Sequence, residues 1–162
     1  MEKNSWITKL ISDDEYFMNI AECVAMKSND PHTHVGAVIV KDNKIISTGY
    51  NELCCYLEKS SFSSSRVGLG KTEDEKWLNS KYPYIVHAEM NALINCSNKS
   101  DLSGAKLFVT LFPCNECAKN LLQAGIVEII YKDNLYPNNK LFIASKKIFD
   151  SVKKIKVRKV KK

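Results

Sequence analysis

Two short strings constrain this chain more than anything else in it: His87-Ala88-Glu89 and Pro113-Cys114-Asn115-Glu116-Cys117. A Cys-x-x-Cys that opens a helix can turn two sulfurs toward one ion, and the helix N-terminus favours thiolate over thiol. Zinc takes such donors in a tetrahedron, and a catalytic zinc keeps one of its four positions for water. His87 would supply the third protein ligand, with Cys114 and Cys117 as the other two. The fold must then bring two helix starts, far apart in the chain, to one point.

Each string alone has a plainer reading. A lone Cys-x-x-Cys serves as half of a structural zinc site or as a redox pair. A lone histidine before a helix is commonly a cap or a core residue. The chain has only two other histidines, His32 and His34, so donors for a structural site are scarce. The joint pattern, two strings at helix starts with a strand between them, favours a single catalytic ion.

The rest of the chain reads as one ordinary globular domain over residues 1–162, with 44% hydrophobic and 26% charged residues. Its longest apolar runs, Val35–Val40 and Ile126–Tyr131, are strand-sized and far too short to span a membrane. The first residues, MEKNSWITKLISDDE, have no apolar centre of the kind a secretory leader carries. The expected compartment is the cytosol, with the nucleus as alternative, and six cysteines in that setting are expected to be reduced.

The net charge of +6 is a local property. Residues 153–162 (KKIKVRKVKK) hold seven basic residues, and the remainder balances 17 basic against 18 acidic. Such a tail can bind nucleic acid or steer anions. Lysines also guard exposed sheet edges, and a basic edge strand is the reading preferred here.

Periodicity supplies the elements. Ser12-Asp13-Asp14-Glu15 predicts a capped helix carrying Tyr16, Phe17, Ile20, Ala21, Val24 and Ala25 on its apolar face. Val35–Val40 and Lys44–Thr48 predict a hairpin turning at Asp42-Asn43. Residues 52–72 lack a period and read as a surface loop, followed by a second capping box at Thr72–Glu75. Helices are then expected at His87–Cys96, Asn115–Ala124 and Asn139–Val152, with strands at Leu107–Leu111 and Ile126–Tyr131 and the basic strand last. Helix, hairpin, then alternating helix and strand describes an α/β layer with a mixed sheet.

The paired strings match the H-x-E … P-C-x-x-C pattern of zinc deaminases that act on nucleobases. More closely, the chain resembles the deoxycytidylate deaminase family of the cytidine deaminase-like superfamily. The resemblance lies in HAEMNAL (His87–Leu93), LFPCNECAKNLLQAGI (Leu111–Ile126), DPHTHVGAVIV (Asp30–Val40), TGYN (Thr48–Asn51) and KYPYIVHAE (Lys81–Glu89). It implies a three-layer α-β-α sandwich around a five-stranded mixed sheet, one catalytic Zn²⁺ on His87, Cys114 and Cys117, and Glu89 as proton shuttle. It implies that the Ala88 N–H meets the base carbonyl and that Asn51 meets the sugar. Lys27 is a candidate for the phosphate and Tyr136 for contact with the nucleotide, with solvation and packing as their respective alternatives.

The activity implied is hydrolysis of deoxycytidine monophosphate (dCMP) to deoxyuridine monophosphate (dUMP) and ammonia, supplying thymidylate synthesis. The implied assembly is a homohexamer, activated by dCTP with Mg²⁺ and inhibited by dTTP. Two alternatives share the fold: a polynucleotide cytosine or tRNA adenosine deaminase, which the basic tail would suit, and a noncatalytic zinc-binding subunit, against which Glu89 argues. The family commonly follows Gly-Tyr-Asn with Gly-x-Pro, whereas this chain has Glu52-Leu53-Cys54-Cys55. A permissive glycine is lost and a negative charge gained where the resemblance would put a triphosphate effector, which argues against that regulation. The two cysteines raise the alternative of a second, structural zinc.

Overall fold

The computed structural model describes residues 10–161. The reading of the N-terminus falls partly on residues 1–9, and the tail's last lysine is Lys162; both lie outside the described residues. The elements run α1 (Asp13–Ala25), β1 (Gly36–Lys41), β2 (Lys44–Tyr50), β3 (Glu52–Leu53), α2 (Glu73–Leu78), β4 (Ile85–Val86), α3 (Ala88–Asn95), β5 (Lys106–Leu111), α4 (Asn115–Gln123), β6 (Glu128–Asp133), α5 (Lys140–Asp150) and β7 (Lys156–Lys159).

Five strands form one mixed sheet in the order β2-β1-β5-β6-β7. β1 is antiparallel to β2 and β5, whereas β6 is parallel to β5 and β7. Alternation along the central strands divides the core into two layers. Ala37, Ile39, Leu107, Val109 and Ile129 face α3, α4 and α5 through Ala92, Ala118, Leu121 and Phe149. Val38, Val40, Phe108 and Ile130 face α1 through Phe17, Met18 and Ala21. The sheet is therefore sandwiched between helices, as the resemblance implied. Strands covered on both faces need continuous apolar runs, which is why GAVIV and LFV show no polar alternation.

Local chemistry explains most boundaries. The Ser12 hydroxyl accepts a hydrogen bond from the Glu15 N–H at the start of α1, and Thr72 and Glu75 complete a reciprocal capping box on α2. Asp42 and Asn43 both adopt positive φ, 48° and 58°, the geometry of a type I′ hairpin turn. Two glycines let helices close on the sheet. A Cβ on Gly36 would lie 2.0 Å from the Ala21 carbonyl oxygen of α1, and one on Gly49 would lie 2.2 Å from the Ala92 nitrogen of α3.

Two expectations need correction. On α1, Met18 is buried and Tyr16 is half exposed; the helix turns its Phe17-Met18-Ala21-Ala25 stripe inward, and periodicity alone did not choose between neighbouring stripes. Residues 52–72 are also not all loop. Glu52 and Leu53 form β3, which pairs antiparallel with β4, a ladder too short to leave a period-2 signal. The basic tail does become an edge strand, β7, with Arg158 bonded to Asp14 and Glu128, and Lys156 and Lys159 paired with Glu128 and Asp133. Among the described residues, no helix is long and apolar enough to cross a membrane.

Candidate active site

The strings His87-Ala88-Glu89 and Pro113–Cys117, far apart in the chain, meet in the fold. β4 delivers His87 to the N-cap position of α3, in extended backbone with φ −71° and ψ 154°, and its side chain makes no capping bond. The ring is thus free to point away from its own helix. Cys114 holds the same position on α4 and likewise leaves its cap unmade, while Cys117 lies in the first turn. His87 Nδ1 lies 3.4 Å from the sulfur of Cys114 and 3.4 Å from that of Cys117. The three donor atoms all fall within 4.8 Å of one another, and theirs is the one such grouping of histidine, cysteine or acidic side chains among the described residues.

The spacing fits zinc. With Zn–S near 2.3 Å and Zn–N near 2.0–2.1 Å, two ligands of a tetrahedral ion stand about 3.5 Å apart. The donor set is also right, since two thiolates and an imidazole suit zinc and leave one position for a small ligand. Cys54 and Cys55 join no comparable cluster, so the alternative of a second zinc finds no support among the described residues.

The charges of the three groups are interlocked. A hydrogen bond with Cys114 raises the His87 pKa to about 9 against the opposing effect of burial. A hydrogen bond from Cys117 lowers Cys114 to about 4, and the same bond pushes the Cys117 thiol well above its ordinary value. Glu89, in the first turn of α3, is 4% exposed. Burial raises its carboxyl above the ordinary range, partly offset by the His87 charge. A buried carboxyl beside a metal-ligating cluster is placed to take up and give back protons. Ala88 is fully buried as the first residue of α3, where a backbone N–H has no partner within the helix.

The remaining candidates are more dispersed. Asn51 is buried and held by the chain itself: its Oδ1 accepts from the Val35 N–H at 2.8 Å and its Nδ2 donates to the Thr33 carbonyl at 2.9 Å. Lys27 is exposed, with its ammonium 5.3 Å from the centre of the Tyr50 ring. Tyr136 packs against Phe142 with ring centres 5.6 Å apart. A cavity of about 290 Å³ opens between the end of α1, Thr33–Val35 and the ends of β5 and β6, but none of the three metal donors nor Glu89 lines it.

Sequence reasoning missed one pair. Lys81 and Asp30 form an ion pair, each only 5% exposed. Both lie inside quoted strings, Asp30 before Pro31 and Lys81 at the head of KYPY, but their partnership has no local signature.

Comparison with known proteins agrees with this geometry. Residues 11–133 match the family described as the cytidine and deoxycytidylate deaminase zinc-binding region. The deoxycytidylate deaminase of Pongo abelii is 42% identical over 137 residues, covering 84% of this chain and 73% of that protein. The Homo sapiens deoxycytidylate deaminase is 41% identical with the same coverage. Among solved structures, the dCMP deaminase of cyanophage S-TIM5 in complex with dCMP and dUMP superposes with a TM-score of 0.65 at 27% identity, covering 90% of this chain and 94% of that one.

Proposed function

The chain belongs to the cytidine and deoxycytidylate deaminase family, and from that membership we propose that it is a zinc-dependent hydrolase converting dCMP to dUMP and ammonia. The observation that carries the proposal is the meeting of His87 Nδ1 with both sulfurs at 3.4 Å, on two helix N-termini, with the Glu89 carboxyl buried on the same first turn.

His87, Cys114 and Cys117 would hold the zinc. When bound, it supplies Lewis acidity that makes water a competent nucleophile at neutral pH. Glu89 takes a proton from the water that attacks C4 of the cytosine and passes it to N3. A second proton goes by the same carboxylate to the departing amine, so that water and the C4–NH₂ group become a carbonyl and ammonia. The Ala88 N–H, at the positive end of α3, receives the base carbonyl. Asn51 faces the sugar and orders the wall beside it. Lys27 attracts the phosphate, and Tyr136 lies against the nucleotide.

The chain acts as one domain and feeds thymidylate synthesis. None of the six cysteines is joined in a disulfide, which suits a reducing compartment, the cytosol or nucleus. Phe62, Val67, Leu69, Leu78 and Tyr84 line a groove of mixed polarity together with serines and Asn79, and it offers a surface for contact between copies in a hexamer. Regulation by dCTP with Mg²⁺ and by dTTP would act where β3 pairs Glu52 with Val86, one residue from His87; Glu52 opposes a triphosphate there. Ion pairing of Lys156, Arg158 and Lys159 with Glu128, Asp14 and Asp133 disfavours the polynucleotide alternative.

A substrate panel tests the proposal. Ammonia release is measured from dCMP, deoxycytidine, dCTP, single-stranded DNA and tRNA, each with and without added dCTP and Mg²⁺. Turnover of dCMP, with little or none of the polymers, is expected. Turnover of a polymer but not of dCMP would replace this reading with the polynucleotide one.

A further inference from the structure

We propose that Lys81, acting through Asp30, is a positioning residue for nucleotide binding: the buried ion pair sets the sugar-side wall of the site against the His87-Ala88-Glu89 segment. This inference rests on the deaminase reading above. Asp30 is the hub. One carboxylate oxygen accepts the N–H groups of His32 and Thr33, at 2.8 and 3.1 Å, which fixes the turn leading into β1. The other accepts from the Lys81 ammonium and, at 3.5 Å, from Asn51 Nδ2. Asn51 in turn holds Thr33 and Val35, and Ser28 bonds the Asn51 carbonyl at 2.7 Å. The loop before β1 and the residue after β2 therefore form one hydrogen-bonded unit around a single carboxylate.

Lys81 ties that unit to the metal centre. Its carbonyl accepts from the N–H groups of Tyr84 and Ile85, at 3.0 and 3.2 Å, in the turn that enters β4 and then His87. The β3–β4 ladder already joins the residue after Asn51 to the residue before His87; the ammonium-carboxylate contact adds a second link, from the Asp30 turn to the same segment. A second cation supports the loop from outside, since Arg66 Nη2 donates to Thr33 Oγ1 at 2.7 Å. Burying an ammonium and a carboxylate out of water is costly, and replacing such a pair by apolar groups often leaves stability intact. Packing alone gives no reason to place the pair here. Geometric registration of two walls does, because a bound nucleotide must meet both at once.

Kinetics of Lys81→Met and of the double variant Asp30→Asn/Lys81→Met test the inference. Zinc content, thermal midpoint, kcat and KM for dCMP are measured, together with dUMP binding by calorimetry. Lys81→Met is expected to keep its zinc and hold kcat within about threefold, while KM and the dUMP Kd rise about 10–100-fold. The double variant, freed of the orphaned charge, is expected to regain the wild-type midpoint but keep the raised KM; it carries the measurement if the single variant does not fold. A KM and dUMP Kd within about threefold of wild type, with only the midpoint lowered, would make the pair merely structural and overturn the inference. A fall in kcat at unchanged KM would overturn it as well. Wild-type protein that neither deaminates dCMP nor binds dUMP would instead overturn the deaminase reading, and the inference with it.

Discussion

Glu89 and its neighbours show what single residues contribute. Its carboxyl is buried, its proton affinity is raised by that burial, and it shares a helix turn with Ala88 beside the zinc donors. Glu89→Gln keeps the size and polarity but cannot accept a proton. It is expected to lower kcat by about 10²–10⁴-fold, the usual contribution of a positioned acid–base group. Zinc content by atomic absorption and dUMP binding should stay near wild type; loss of either would mean that the carboxylate holds the site together and does not only shuttle protons. The residues in that site were legible in the sequence because their chemistry depends on near neighbours: His two before Glu, Cys three before Cys. Asp30 and Lys81 were not, because a pair so far apart in the chain becomes visible only when the fold brings both charges into one buried place.

At the scale of elements, the site depends on how closely α3 lies on β2. The Gly49 backbone touches the first turn of α3, and an added Cβ would meet the Ala92 nitrogen at 2.2 Å and the Ala88 oxygen at 2.4 Å. Neither contact is the end of a flexible side chain, so Gly49→Ala must move the helix. A loss of about 1–3 kcal/mol in unfolding free energy is expected, as for overpacked cores. A fall of about 10²-fold in kcat/KM should accompany it, since small displacements of a reacting group are amplified in rate. Chemical denaturation and steady-state kinetics check the two effects; an unaltered rate in a destabilised variant would mean that α3 reseats without shifting Glu89. Every helix of α1 to α5 and the strands β1, β2, β5, β6 and β7 were anticipated, most with ends within two residues and β7 shorter than the basic stretch at 153–162. Caps, turn residues and apolar runs announce such elements locally. β3 and β4 escaped because two residues cannot establish a period; their pairing is a tertiary event.

For the molecule as a whole, the ion pairs that close the sheet's β7 edge govern its response to acid. Burial pushes the Glu128 carboxyl up, but hydrogen bonds from Arg158, Lys156 and Lys106 outweigh it and hold the pKa at about 2, against an ordinary 4.5. The Arg158 hydrogen bond lowers Asp14 in the same way. For Asp30, hydrogen bonds from Lys81, His32 and Thr33 overcome desolvation and leave the pKa lowered. Each folded-state value lies below the unfolded one. Their stabilisation is therefore fully present above the unfolded pKa, and is lost as pH falls through the folded values. Between roughly pH 4.5 and 2 the unfolded Glu128 binds more protons than the native one, so this group contributes up to about 1.4 kcal/mol per pH unit of falling stability, and Asp14 and Asp30 act in the same direction. Acid also displaces zinc by protonating its ligands, so the wild-type curve alone mixes two causes. Comparison with Arg158→Met separates them, because both proteins share the metal site. Above pH 5 the variant is expected to be less stable by about 1–3 kcal/mol, the loss of charge-assisted hydrogen bonds. The gap should narrow as pH falls toward 2, as the carboxylates Arg158 holds begin to take up protons in the folded wild type. Urea unfolding followed by circular dichroism at a series of pH values measures that gap; a constant difference down to pH 2 would mean that Arg158 stabilises the β7 edge through its packed stem and not through its charge.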